Sequence, residues 1–156
     1  MVVIDGVQEL VDLIVTDWNS SNTASVTPTI DKITNVPFDQ QYGNDKGYVL
    51  LYSVSENENI SGLGLDTSSD VKELIKIDIR FGGQGDWSVA DIETRFNLYK
   101  AELKRILYSN RTNPTTNYCI LDLDNKNIQN LSNRAKKFFR EVREVGLDDN
   151  NRDMTA

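Results

Sequence analysis

The sequence predicts a single α+β domain, a mostly antiparallel or mixed sheet of about 4–5 strands packed with two main α-helices. Two apolar stripes recur at helical spacing, and one segment alternates between greasy and polar residues over eleven positions. Several shorter β-branched runs end in Pro, Gly, Asn or Ser. At 156 residues, with 38% hydrophobic and 26% charged composition, the chain can fill one core but would starve two. The expected layout is a domain over residues 1–147 and a polar, frayed tail over 148–156.

The first stripe comprises Val7, Leu10, Val11, Ile14, Val15 and Trp18, with Asp5 placed to cap the helix. Asn19 to Ser25 is polar and ends it. Thr29 to Val36, set between Pro28 and Pro37, reads as an edge strand, because proline limits the ladder at both ends. A loop is expected over Gln40 to Lys46. Gly47 to Ser55 follows as a strand, with Tyr48, Leu50, Tyr52 and Val54 on one face and Val49 and Leu51 on the other.

The clearest strand has Val71, Glu73, Ile75, Ile77, Ile79 and Phe81 on one face and Lys72, Leu74, Lys76, Asp78 and Arg80 on the other. The polar stretch Glu56 to Asp70, with Gly62 and Gly64, reads as a long connecting loop. Ser88 and Asp91 open a second helix, whose stripe is Val89, Ile92, Phe96, Tyr99, Leu103, Ile106 and Leu107. Asn110 to Asn117 reads as a loop and Asn117 to Leu123 as a short strand. From Leu131 to Leu147 both periods fit: Leu131, Ala135, Phe138, Val142 and Val145 suit a helix, whereas Phe139, Glu141, Arg143, Val145 and Leu147 suit one face of a strand.

Composition restricts the chemistry. There is no histidine, which removes imidazole acid–base catalysis, His-containing triads and His zinc sites. A net charge of −7 is the wrong sign for a general binder of phosphate backbones. The lone Cys119 cannot form an intrachain bridge and has no histidine to activate it, so it reads as a buried thiol. Apolar Met1 to Ile4 is followed by Asp5, Glu9 and Asp12, unlike a signal peptide, and no apolar run approaches the roughly 20 residues that span a bilayer. Manufacture in the cytoplasm and no membrane contact are expected.

Gly82-Gly83-Gln84-Gly85 follows a strand and precedes a helix, a place where phosphate can bind, yet it lacks both the third glycine of a dinucleotide fingerprint and the Gly-Lys-Ser/Thr of a P-loop. Asp122, Asp124 and Asn125 start like a calcium loop, but Asn127 replaces the turn glycine and Asn133 the bidentate carboxylate. The same segment contains Asp124-Asn125-Lys126, the Asp-x-Lys pattern in which a carboxylate holds Mg²⁺ and a lysine steadies the attacking water. With Asp78 as second carboxylate this yields one alternative, a small Mg²⁺-dependent nuclease; the plainer reading is a strand end entering a polar loop. Trp18 and Trp87 read as packing anchors. The basic run Arg134, Lys136, Lys137, Arg140 and Arg143, broken by Glu141 and Glu144, reads as a solvated or subunit-facing surface. No enzymatic activity, cofactor or metal is expected.

The order of elements, with Ile75 to Phe81 leading into a helix from Asp91 to Tyr108, then Tyr118 to Asp124, then Phe138 to Val145, resembles the tail-terminator proteins of long-tailed viruses. Over about 110 residues the likeness is one of order and pattern, without a catalytic motif. The resemblance implies a virion structural subunit, assembled in host cytoplasm into a hexameric ring that caps the tail tube and joins it to the neck connector. DNA would pass through its channel unbound, and Phe138 to Val145 would be a strand. It further implies a protruding loop containing Asn59, Gly62, Gly64 and Asp66, and subunit contacts including Lys72, Lys76, Asp78, Arg80, Arg140 and Arg143. Another neck, head-completion or tail-completion component is the nearest alternative.

Overall fold

A computed structural model describes residues 5–33, 47–61, 68–82, 87–111, 119–124 and 126–153. Two helices cover one face of a mixed, curled sheet, an α+β arrangement as expected from the sequence. Helix α1 (Gly6–Asp17) starts where Asp5 accepts the Gln8 N–H at 3.1 Å. Its stripe is buried at Val7, Leu10, Val11 and Ile14, while Val15 stays exposed. A 3₁₀ turn (Ser20–Thr23) leads into Ala24 and Ser25, both left-handed at φ 55° and 63°, which redirect the chain towards the sheet. Helix α2 (Val89–Ser109) starts where Ser88 accepts the Asp91 N–H at 3.1 Å.

The strands are β1 (Thr29–Lys32), β2 (Tyr48–Ser61), β3 (Ser68–Gly82), β4 (Cys119–Asp122), β5 (Ile128–Asn130) and β6 (Phe138–Asp153). Their order is β1-β2-β3-β6-β4, with β5 also pairing β6; β1 runs parallel to β2 and every other pair is antiparallel. Ile75, Ile77, Ile79 and Phe81 of β3 lie under Ile92, Phe96, Tyr99 and Leu103 of α2, forming the centre of the core. Trp18 and Phe81 both meet Tyr99 edge-on, with centroids 5.8 and 5.6 Å away, so each joins the core as an anchor.

Several expectations are corrected. Glu56 to Asp70 is not a loop over most of its length: β2 and β3 remain paired to Ser61 and Ser68, so Asn59 is a strand residue opposite Asp70. Backbone pairing in a hairpin needs no apolar pattern, which is why polar composition misleads there. Gly62, Gly64 and Asp66 lie outside the described residues, as do the expected loop Gln40 to Lys46 and Gly83 to Gly85. The ambiguous C-terminal stretch is a strand from Phe138, entered through a turn whose Lys137 has φ 53°. It continues through the expected tail to Asp153, pairing with β3 and β4. Val54 sits at a bulge between Ser53 and Ser55 and is exposed, so the double covering expected for β2 stops at Tyr52.

Beneath the 3₁₀ turn, Glu102 accepts hydrogen bonds from the Asn22 amide at 2.7 Å, from the Asn19 N–H at 3.3 Å and from Arg105. Burial would raise its pKa, but these donors together outweigh burial and hold it below the ordinary value of 4.5. A lowered folded pKa means a stabilising contribution that is complete above pH 4.5 and lost as pH falls through the folded value. Glu102→Gln should therefore flatten the acid limb of a plot of urea midpoint against pH, with little effect on its shape near neutrality.

Candidate functional site

β3 lies between β2 and β6, so side chains on its second face are flanked on both sides. Register places Tyr48, Leu50 and Tyr52 of β2 beside Arg80, Asp78 and Lys76, and Arg140, Val142 and Glu144 of β6 on the other side. The sequence puts charge at the middle of this face, where water is excluded: Asp78 is 0% and Arg80 1% exposed. Such charges persist only when paired and hydrogen-bonded. Asp78 accepts from Arg80 Nε and Nη2 at 3.1 and 2.7 Å, and from Arg140 Nε and Nη2 at 3.1 and 2.9 Å. One carboxylate is thus clamped by two guanidinium groups from neighbouring strands.

Tyr52 borders this cluster. Burial, then the Asp78 charge, push its pKa above the ordinary range against the opposing pull of Arg140 and Arg80. Lys76 reaches Glu144 at 3.8 Å on the same face. Arg143 does not join them; it lies on the helix-covered face and meets Glu141 at 3.8 Å. Glu141 Oε2 is buried without a hydrogen-bond donor.

The six residues expected to contact neighbouring subunits therefore have different surroundings. Asp78 and Arg80 are buried and paired with each other within the chain. Arg140 closes the same cluster. Lys76 and Arg143 are partly buried in pairs, and Lys72 is exposed.

The nuclease constellation is not assembled either. Asp122 pairs with Lys126 at 3.2 Å and Asp124 with Arg111 at 2.9 Å. Asp122 is level with Gly146 and hence with Leu74, four residues along β3 from Asp78, a separation of about 13 Å along the strand alone. Among the described residues no three His, Cys, Asp or Glu side chains converge as metal ligands. The Asp124 N–H donates to Asp122, which with Lys126 holds the Asp122 pKa below its ordinary value despite some burial. That is the chemistry of a turn held by its own charges.

Two members of the basic run have partners within the chain: Arg134 pairs with Glu93, and Lys137 Nζ donates to the Trp87 carbonyl at 3.0 Å. Trp87 packs on Phe81, with Arg95 4.6 Å over its ring. The sequence assigns no role to the acids Glu73, Glu102 and Glu141, all buried. Glu102 was legible, since it lies three residues after Tyr99 on the inward stripe of α2. Among the described residues no helix is long and apolar enough to cross a membrane. A scan against protein-family models finds no match, and no curated protein matches the chain.

Proposed function

We propose that this chain is a structural subunit of a long-tailed virus, a tail-terminator type of protein that forms a ring on the tail tube and joins it to the neck. The observation that carries the reading is the terminal segment: its sequence suits helix and strand equally, and it is a strand, β6, as the resemblance implies. The order of helix, strands, long helix, short strand and terminal strand supports it further. Asp78 is clamped between two arginines inside the sheet, and Asp122 and Asp124, on another part of the chain, are neutralised in pairs of their own, so these charged residues serve architecture in this reading.

In this reading six copies carry a net charge of about −42, and an acidic lumen repels DNA phosphates so that the genome slides through. Solution mass across a concentration series, with negative-stain images of the large species and of mixtures with polymerised tail tubes, tests it. The expected result is a closed ring, free or seated at tube ends. A chain that remains monomeric and leaves tube ends bare overturns the proposal.

A further inference from the structure

Two edge strands, β1 and β5, lie in one band. Ile30 is level with Val49, Ile79, Glu141 and, at the far edge, Asn130. Lys32 is likewise level with Leu51, Ile77, Arg143 and Ile128. β1 and β5 run in opposite directions, because three antiparallel steps and one parallel step separate them.

Hydrogen bonding sets which backbone groups face outwards. The N–H groups of Thr29 and Ile33 donate to Gly47 and Leu51 of the β2 side at 3.0 and 2.8 Å, so alternation turns Ile30 and Lys32 away from β2. On the far side Asn127 accepts from Glu144 at 3.0 Å and Leu131 donates to Arg140 at 2.9 Å, so Ile128 and Asn130 are turned away from β6. The Lys32 N–H is occupied by Asp31 Oδ1 at 2.8 Å, a local bond that a strand partner can replace. Among the described residues no further strand pairs with either edge. The outward residues on the two edges thus share the same two rows.

Charge separates in the same sense. Asp5, Glu9, Asp12 and Asp17 lie in or beside α1 without a basic residue between them, and α1 packs by the β1 edge, where Asp5 meets Lys32 at 3.2 Å. Beyond β5 the turn carries Arg134, Lys136 and Lys137, and its bonds to Glu93 and the Trp87 carbonyl put it on the same helix-covered face. Ile128 and Leu131 are 53% and 45% exposed beside that turn.

We infer that β5 of one copy pairs antiparallel with β1 of the next, Asn130 opposite Ile30 and Ile128 opposite Lys32, while the basic turn meets the acidic α1 side of the neighbour. This contact is head-to-tail, so repetition closes a ring or grows a filament. It deepens the ring reading and rests on it for closure alone. Opposite charges orient the approach, the added ladder bonds set register, and Ile128 is covered by the neighbour's Ile30 and the Lys32 stem.

The test uses Ile30→Cys with Asn130→Cys in a Cys119→Ser chain. Within one copy these positions are four strand spacings apart, about 19 Å, too far for a disulfide, so any bridge joins copies. Mild oxidation should give a ladder of covalent multimers, about tenfold more than an out-of-row control with Thr16→Cys and Asn130→Cys. As a second arm, Asn130→Pro removes an outward N–H while sparing the bonds to β6, and should weaken self-association about tenfold with unchanged circular dichroism. No ladder above control, or full association of the Asn130→Pro chain, overturns the interface. Rings that bind tube ends without the in-row bridge leave the tail reading standing and sink this contact. A ladder without tube binding keeps the contact and sinks the tail reading.

Discussion

Asp78→Ala should lower the free energy of unfolding by about 3–5 kcal/mol, measured as a fall in urea midpoint at unchanged slope. The loss comes less from the removed bonds than from what remains. Arg80, 1% exposed, would be left beside Arg140 with no carboxylate between them, two like charges facing each other where water is excluded. Replacing all three together, Asp78→Leu with Arg80→Met and Arg140→Met, should return stability to within about 1–2 kcal/mol of the parent, because the desolvation cost of the charges disappears with them. A loss below about 1 kcal/mol for Asp78→Ala would show that water reaches the cluster and that this face is not sealed.

Gly47→Ala should cost about 2–4 kcal/mol and lower the melting temperature accordingly. Gly47 opens β2 at φ +72°, in the left-handed region, and its carbonyl accepts the Thr29 N–H that starts β1. A Cβ there would lie 2.7 Å from Tyr99, 2.8 Å from Phe81 and 3.1 Å from the Arg80 carbonyl. Tyr99 and Phe81 are fully packed rings and the carbonyl belongs to the central strand, so little can give way. The strain and the clash fall on the same atom. A change below about 0.5 kcal/mol would mean that β2 begins in a different backbone conformation.

The sequence was most informative where the determinants are local. The stripes of α1 and α2 and the alternation from Val71 to Phe81 are properties of neighbouring residues, and Asp5 and Ser88 cap the helices that the stripes predict. It was least informative where pairing with a distant strand decides. Residues 138–147 satisfy both periods until β3 is present to pair with them, and β5 is three exposed residues with no periodic signal. Polar residues 56–61 and 68–70 read as loop because an extended hairpin is held by backbone bonds that composition does not report. The charged site misled for a related reason. Aspartate and arginine indicate surface by residue type, and only the register of β6, which brings Arg140 beside Arg80, reveals that they neutralise each other inside.

The position of β6 has a consequence for biosynthesis. It follows every other strand in the chain, yet it lies between β3 and the edge formed by β4 and β5. While a polypeptide emerges from the ribosome, β3 can be bonded on one side only, and neither β4 nor β5 has its strand partner until Phe138 and its successors arrive. Sheets closed by such late, long-range pairings fold slowly and expose sticky edges in the meantime. Translation interrupted before this point would leave β3, β4 and β5 without the strand that joins them, a broken sheet with open edges instead of a smaller complete fold.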